Sequence, residues 1–114
     1  IFESWVVSEI LKTILNEGAT PRLFHYRDKT KLEVDLVVER PDLLSLIEMK
    51  SGATYQSGFA DSLREVARAL SASEPSTRIA SYVVYGGEAR YERTDVTVVP
   101  WAEVGAIGDG RAVS

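Results

Sequence analysis

The chain has 114 residues, 45% of them apolar and 26% charged, which suits one compact domain and excludes a disordered or low-complexity segment. Thirteen basic residues against 17 acidic ones leave a net charge of −4, so the surface as a whole is no basic glove and any nucleic-acid contact has to be local. With no cysteine and a single histidine, disulfide scaffolds, thiol catalysis and the usual zinc sites are excluded as well.

No apolar run approaches the roughly 20 residues that a membrane-spanning helix needs, and no signal peptide is evident, which points to a cytoplasmic setting without membrane contact. The chain opens on Ile1-Phe2-Glu3-Ser4-Trp5, already in helical pattern and with no methionine or capping residue ahead. It therefore reads as a piece of a longer chain with partner domains upstream. Apolar residues at Phe2, Val6, Val7, Ile10, Leu11, Ile14 and Leu15 predict a helix over 2–16 with one buried stripe, stopped by Asn16-Glu17-Gly18 and Pro21. Residues 22–27 predict a strand and Asp28-Lys29-Thr30-Lys31 a charged turn. Two further β-prone runs, 32–39 and 43–50, are separated by Arg40-Pro41-Asp42, and the short connections predict an antiparallel meander. Phe59, Leu63, Val66, Ala67 and Leu70 recur at helical spacing and predict a helix over 57–72. The almost wholly apolar run 79–85 follows, which fits a right-handed crossover between parallel neighbours. A fifth strand is expected over 95–99, then a closing turn in which Trp101 anchors the core, and the last residues read as a fraying tail. The domain is expected to span 1–105, with 106–114 as a flexible tail. The order αβββαββ is an α/β fold, a mixed sheet flanked by helices.

Three positions carry charge where the pattern calls for apolar side chains. Glu3 points with Val6, Val7, Ile10 and Ile14 into the apolar stripe of the first helix; equally, it reads as a first-turn acid favoured by the helix dipole. On the second strand, Leu32, Val34, Leu36 and Val38 are expected on one face and Glu33, Asp35, Val37 and Glu39 on the other, which an ordinary solvated face also explains. On the third, Glu48 and Lys50 share a face with Leu44 and Leu46 of an otherwise interior strand. An ionised Glu48 there is costly unless paired, and an ion pair with Lys50 is the competing explanation. If the two strands form a hairpin, Asp35 and Glu48 converge, with Glu3 above them. Two carboxylates about 4 Å apart repel by roughly 4 kcal/mol at an effective dielectric of 20. Three acids and one lysine leave a local charge that a divalent cation would neutralise. All-oxygen donors, with the Met49 carbonyl as a further ligand, suit Mg²⁺ or Mn²⁺.

Asp35, followed after 13 residues by Glu48-Met49-Lys50, resembles the D…ExK motif of the PD-(D/E)XK nuclease superfamily, the restriction-endonuclease-like fold. The segments FESWVVSEILK, FHYRDKTKLEVDLVVE, LIEMKSG, VVYGG and VVPW are similar to the domain of unknown function at the C-terminus of many bacterial and archaeal AAA-type ATPases. That likeness implies an upstream P-loop ATPase domain as partner; no GxxxxGK[ST] occurs in these residues, so they are not expected to hydrolyse ATP themselves. The nuclease likeness implies Asp35 and Glu48 as metal ligands, Lys50 as the residue that orients the attacking water and offsets phosphate charge, and Glu3 as the helix acid beside the metal's waters. Val34-Asp35 stands where the family name has proline-aspartate. Arg22, Arg27, Lys29 and Lys31 form a local basic patch that either contacts phosphates or is simply a solvated hairpin tip. The leading expectation is Mg²⁺-dependent phosphodiester hydrolysis on nucleic acid. The others are a non-catalytic module that binds DNA or a protein or regulates the ATPase, and a plain folding unit whose acids form structural ion pairs.

Overall fold

The computed structural model describes residues 1–18, 20 and 22–108. Helix α1 (Phe2–Asn16) buries the stripe Val6, Ile10 and Ile14, and ends as the sequence pattern predicts. Gly18 there adopts φ +76°, the left-handed conformation that closes a helix at little cost to glycine, and its N–H donates to the Leu15 carbonyl. Pro21, the other expected stop, lies outside the described residues.

Strands β1 (Leu23–Arg27), β2 (Glu33–Arg40) and β3 (Leu43–Lys50) form the expected antiparallel meander. A 3-10 turn, Ser57–Ala60, leads into helix α2 (Asp61–Ser73), so the helix expected from residue 57 starts its α-helical turns four residues later. Strand β4 (Arg78–Tyr85) then pairs parallel with β3 along its whole length. It is buried on both faces through its second half, as the unbroken apolar run requires of an interior parallel strand. Two strands follow where the pattern showed one: β5 (Tyr91–Glu92), too short to carry a periodic signal, and β6 (Thr97–Pro100). The sheet order is β1-β2-β3-β4-β6-β5, with β6 parallel to β4 and β5 antiparallel at the edge.

The helices pack on opposite faces. α1 covers Leu36, Val38, Ile47, Met49, Tyr82, Val84 and Val99; α2 covers Val34, Val37, Leu44, Leu46, Val83 and Val98. The even-numbered face expected for β2 is thus broken, since Val34 packs with Val37 and away from Leu36. Pairing with β1 explains it: Phe24 faces Val37 but Tyr26 faces Val34, so Asp35 and Leu36 together oppose His25. This β-bulge adds a residue and reverses the phase of everything before it.

Helix α3 (Gly105–Gly108) places Ile107, 1% exposed, against the α1 side of the core, so the tail expected from residue 106 begins with a packed turn; residues 109–114 lie outside the described residues. Trp101 is not the expected core anchor. It is 43% exposed and meets Trp5, 38% exposed, edge to face at 5.2 Å, because the chain at Pro100 turns outward into a 3-10 turn. No helix among the described residues is long and apolar enough to cross a membrane.

The loop after β3 is tied to the end of β4: the Gly86 N–H donates to the carbonyls of Lys50 and Gly52. A Cβ at Gly86 would collide with the Ser51 carbonyl oxygen, a main-chain atom that cannot swing aside. Gly86→Ala is expected to lower the unfolding free energy by about 1–3 kcal/mol, the usual cost of overpacking. Urea denaturation reads this, and an unchanged midpoint would show that the loop is free to move.

Candidate functional site

Parallel strands β3, β4 and β6 all end on one side of the molecule, the side where open α/β sheets place their ligands. Because β2 runs antiparallel to β3, its first residues lie at that same end, and so does the N-terminus of α1. The D…ExK residues therefore meet there by topology. An unrelated hollow lined by Ile14, Arg22, Val38, Glu39 and Pro41 lies at the opposite end of the sheet, away from these groups.

The β2–β3 ladder runs from Arg40 opposite Leu43 to Leu36 opposite Ile47. One step further, side chains take over. The Asp35 N–H donates to Glu48 Oε1 at 3.0 Å, and the Met49 N–H donates to Asp35 Oδ2 at 2.9 Å. Each carboxylate is held by the other strand's main chain, a reciprocal lock that satisfies donors the broken ladder would otherwise strand. The bulge at Asp35 opens the gap which the two side chains fill, and the Asp35 carbonyl faces His25 Nδ1 at 3.4 Å.

Glu48 is 7% exposed, and its carboxyl is pushed up to about 7. Burial is the largest cause, followed by the charge of Asp35. The Asp35 N–H and the Lys50 ammonium oppose the shift, and Glu3 adds a small rise. Lys50 Nζ stands 4.0 Å from Glu48 Oε2 and 5.4 Å above the Phe59 ring. The lysine is thus steered by a carboxylate on one side and a ring on the other.

Glu3 does not join the pair. It is exposed at the first turn of α1 and lines an open hollow with Phe2, Met49, Lys50 and Ser51. The reason is the sheet itself: α1 packs on the Met49 face, while Glu48 and Lys50 follow Leu44 and Leu46 on the α2 face. The expected three-acid pocket is therefore a two-acid lock with a third carboxylate at its rim. Among the described residues, no group of three or more His, Cys, Asp or Glu side chains stands close enough to hold a metal.

The donor chemistry still suits a hard cation. Once the lock is made, Asp35 Oδ1 and Glu48 Oε2 carry no main-chain bond among the described residues, and the Met49 carbonyl leaves β3 on the same edge as its N–H, opposite to the Lys50 carbonyl that meets Gly86. One or two carboxylates, with water and phosphate filling the rest, is a usual Mg²⁺ site.

The basic turn extends from the same end of the sheet. Asp28 organises it, accepting from the Thr30 hydroxyl and from the N–H groups of Thr30 and Leu32. The Thr30 hydroxyl bond above all holds the Asp28 carboxyl below its ordinary range. Arg27 lies 3.8 Å from Glu33, and Lys29 and Lys31 are exposed; none of the three touches the carboxylate pair. Arg22 pairs with Glu39 at 3.0 Å instead of joining them. Phe59 packs on the α2 side of the core as its spacing predicts, and it also carries Lys50 over its ring, a contact for which the sequence pattern holds no signal.

A raised Glu48 means that the folded protein binds more protons than the unfolded chain between about pH 4.5 and pH 7, so stability falls as pH rises through that window. Glu48→Gln keeps an acceptor for the Asp35 N–H without the charge. Wild type is expected to lose roughly 3 kcal/mol relative to this variant across the window, read from urea midpoints at each pH. Parallel pH profiles for the two proteins would contradict the assignment.

No curated protein matches this chain. A family model does: that of the domain of unknown function DUF4143 covers residues 1–104, and the chain belongs to this family.

Proposed function

We propose that this domain is restriction-endonuclease-like and hydrolyses phosphodiester bonds of nucleic acid with Mg²⁺ or Mn²⁺, beside a P-loop ATPase domain of the full-length protein. One observation carries the reading. Asp35 and Glu48 are interlocked across β2 and β3 with the Lys50 ammonium next to them, an acid pair whose buried charge favours a cation. When bound, the ion supplies Lewis acidity toward a phosphate oxygen and toward water.

The chain's own residues do the rest. Asp35, Glu48 and the Met49 carbonyl would hold the ion, and the lock keeps the two carboxylates from swinging away. Lys50 orients the attacking water and offsets the charge that builds on the phosphate, the kind of fixed electrostatic aid that acts most strongly in the transition state. Glu3 accepts hydrogen bonds from water at the rim. Arg27, Lys29 and Lys31 hold flanking phosphates and set the strand's position.

The second reading is a non-catalytic module that binds DNA or a protein or regulates the ATPase. The inward bonds favour it: each carboxylate already has a main-chain partner, so the pair is self-sufficient as a structural feature.

Cleavage of single-stranded and duplex DNA with Mn²⁺, by wild type, Asp35→Asn and Lys50→Ala, separates the two. Each variant is expected to be slower by about 10²–10³-fold, the cost of losing one fixed electrostatic group. Calorimetric titration is expected to show Mn²⁺ binding that Asp35→Asn weakens. Equal cleavage by all three proteins, or no Mn²⁺ heat at millimolar metal, would overturn the hydrolytic reading.

A further inference from the structure

Lys50 is one end of an aromatic strip that runs from the carboxylate pair along the α2 side of the sheet. Phe59, beneath the ammonium, meets Tyr55 edge-on with ring centroids 5.7 Å apart and planes at 90°. Tyr55 lies 6.1 Å from Tyr91, which in turn lies 6.3 Å from the buried ring of Tyr85. The Arg93 guanidinium stands over both outer tyrosines, 5.2 Å from the Tyr91 centroid and 6.0 Å from that of Tyr55.

Core packing accounts for Tyr85 but not for Tyr91, which is 36% exposed on an edge strand of two residues. Nor is Arg93 there to neutralise an acid. Arg64 pairs with Asp95 and Arg90 with Glu92, yet the Arg93 guanidinium bonds the Glu92 main-chain oxygen and has no carboxylate partner among the described residues. A cation without an acid, laid on two ring faces and continuous with the Lys50 site, matches the chemistry of a strand with exposed bases. Rings accept the π-face of any base, and the guanidinium meets the phosphate. A duplex keeps its base faces stacked inside and offers this strip phosphates alone.

We propose that the Tyr55–Tyr91–Arg93 strip binds single-stranded nucleic acid, with bases stacked on the tyrosines and Arg93 on the backbone, and leads the strand to Lys50. The delivery of the strand to a reactive site rests on the hydrolytic reading above; the binding itself does not.

The test is fluorescence anisotropy of a labelled oligothymidylate and a duplex of equal length, at low salt and with EDTA so that hydrolysis plays no part. Wild type is expected to bind the single strand more tightly than the duplex. Tyr91→Ala is expected to weaken single-strand binding by about tenfold, the usual contribution of one stacked base, while Tyr91→Phe retains it because the ring and not the hydroxyl does the stacking. Arg93→Ala is expected to lower the slope of log affinity against log salt by about 0.7, one phosphate contact on a single strand. Equal affinity in wild type and Tyr91→Ala, or no preference over duplex, overturns the proposal. So does Tyr91-dependent binding of a proline-rich peptide in place of oligothymidylate, which would make the strip a peptide surface. Wild type that binds the strand but cleaves nothing with Mn²⁺ upholds the strip and defeats the hydrolytic reading; cleavage of duplex without single-strand binding does the reverse.

Discussion

Two acids that each bind the opposite strand's main chain are the constraint around which this end of the sheet is built. A broken antiparallel ladder leaves N–H groups in need of acceptors, and two carboxylates in a confined space repel one another. The Asp35–Glu48 exchange answers the first difficulty while leaving part of the second in place. Glu48 stays buried, and the charge of Asp35 together with burial makes its proton hard to remove. A group poised near neutrality in this way is common at reactive sites, because the same environment that resists charge rewards whatever compensates it.

The rest of the fold keeps that exchange in register. β3 is flanked by β2 and β4 and covered on both faces, so Glu48 cannot shift without disturbing the core. Gly86 lets the loop after Lys50 lie against the end of β4. On the α2 face, Phe59 supports the lysine from below, and the tyrosines beyond it extend the surface toward the sheet edge. The carboxylate pair and the aromatic strip are thus two parts of one end of the molecule, joined at Lys50.

Much of this was legible in the residues. Periodicity located α1, the meander and the buried parallel strand β4, because each has a long, regular apolar pattern. The convergence of Asp35 and Glu48 followed from pairing two adjacent strands. What escaped was whatever depends on a single inserted residue or on very short elements. The bulge at Asp35 has no signature in alternation, and it moves Val34 to the other face. β5 is two residues long, and α3 is four, so neither shows a period. For Glu3 the sequence offers helical phase alone, which says where a side chain points around its own axis but not which face of the sheet the helix covers. The strip of Tyr55, Tyr91 and Arg93 unites distant segments whose proximity only the crossover through α2 and the edge hairpin creates.

The reciprocal lock is tested most directly by a site-resolved carbon-13 titration of the Glu48 carboxyl, with and without Mg²⁺. The structure leads to a midpoint of about 7 in metal-free protein, and the cation proposed for the site would move it to lower pH when Mg²⁺ is added. A midpoint near 4.5 would contradict the buried acid pair, and one that Mg²⁺ leaves unchanged would contradict the proposed cation.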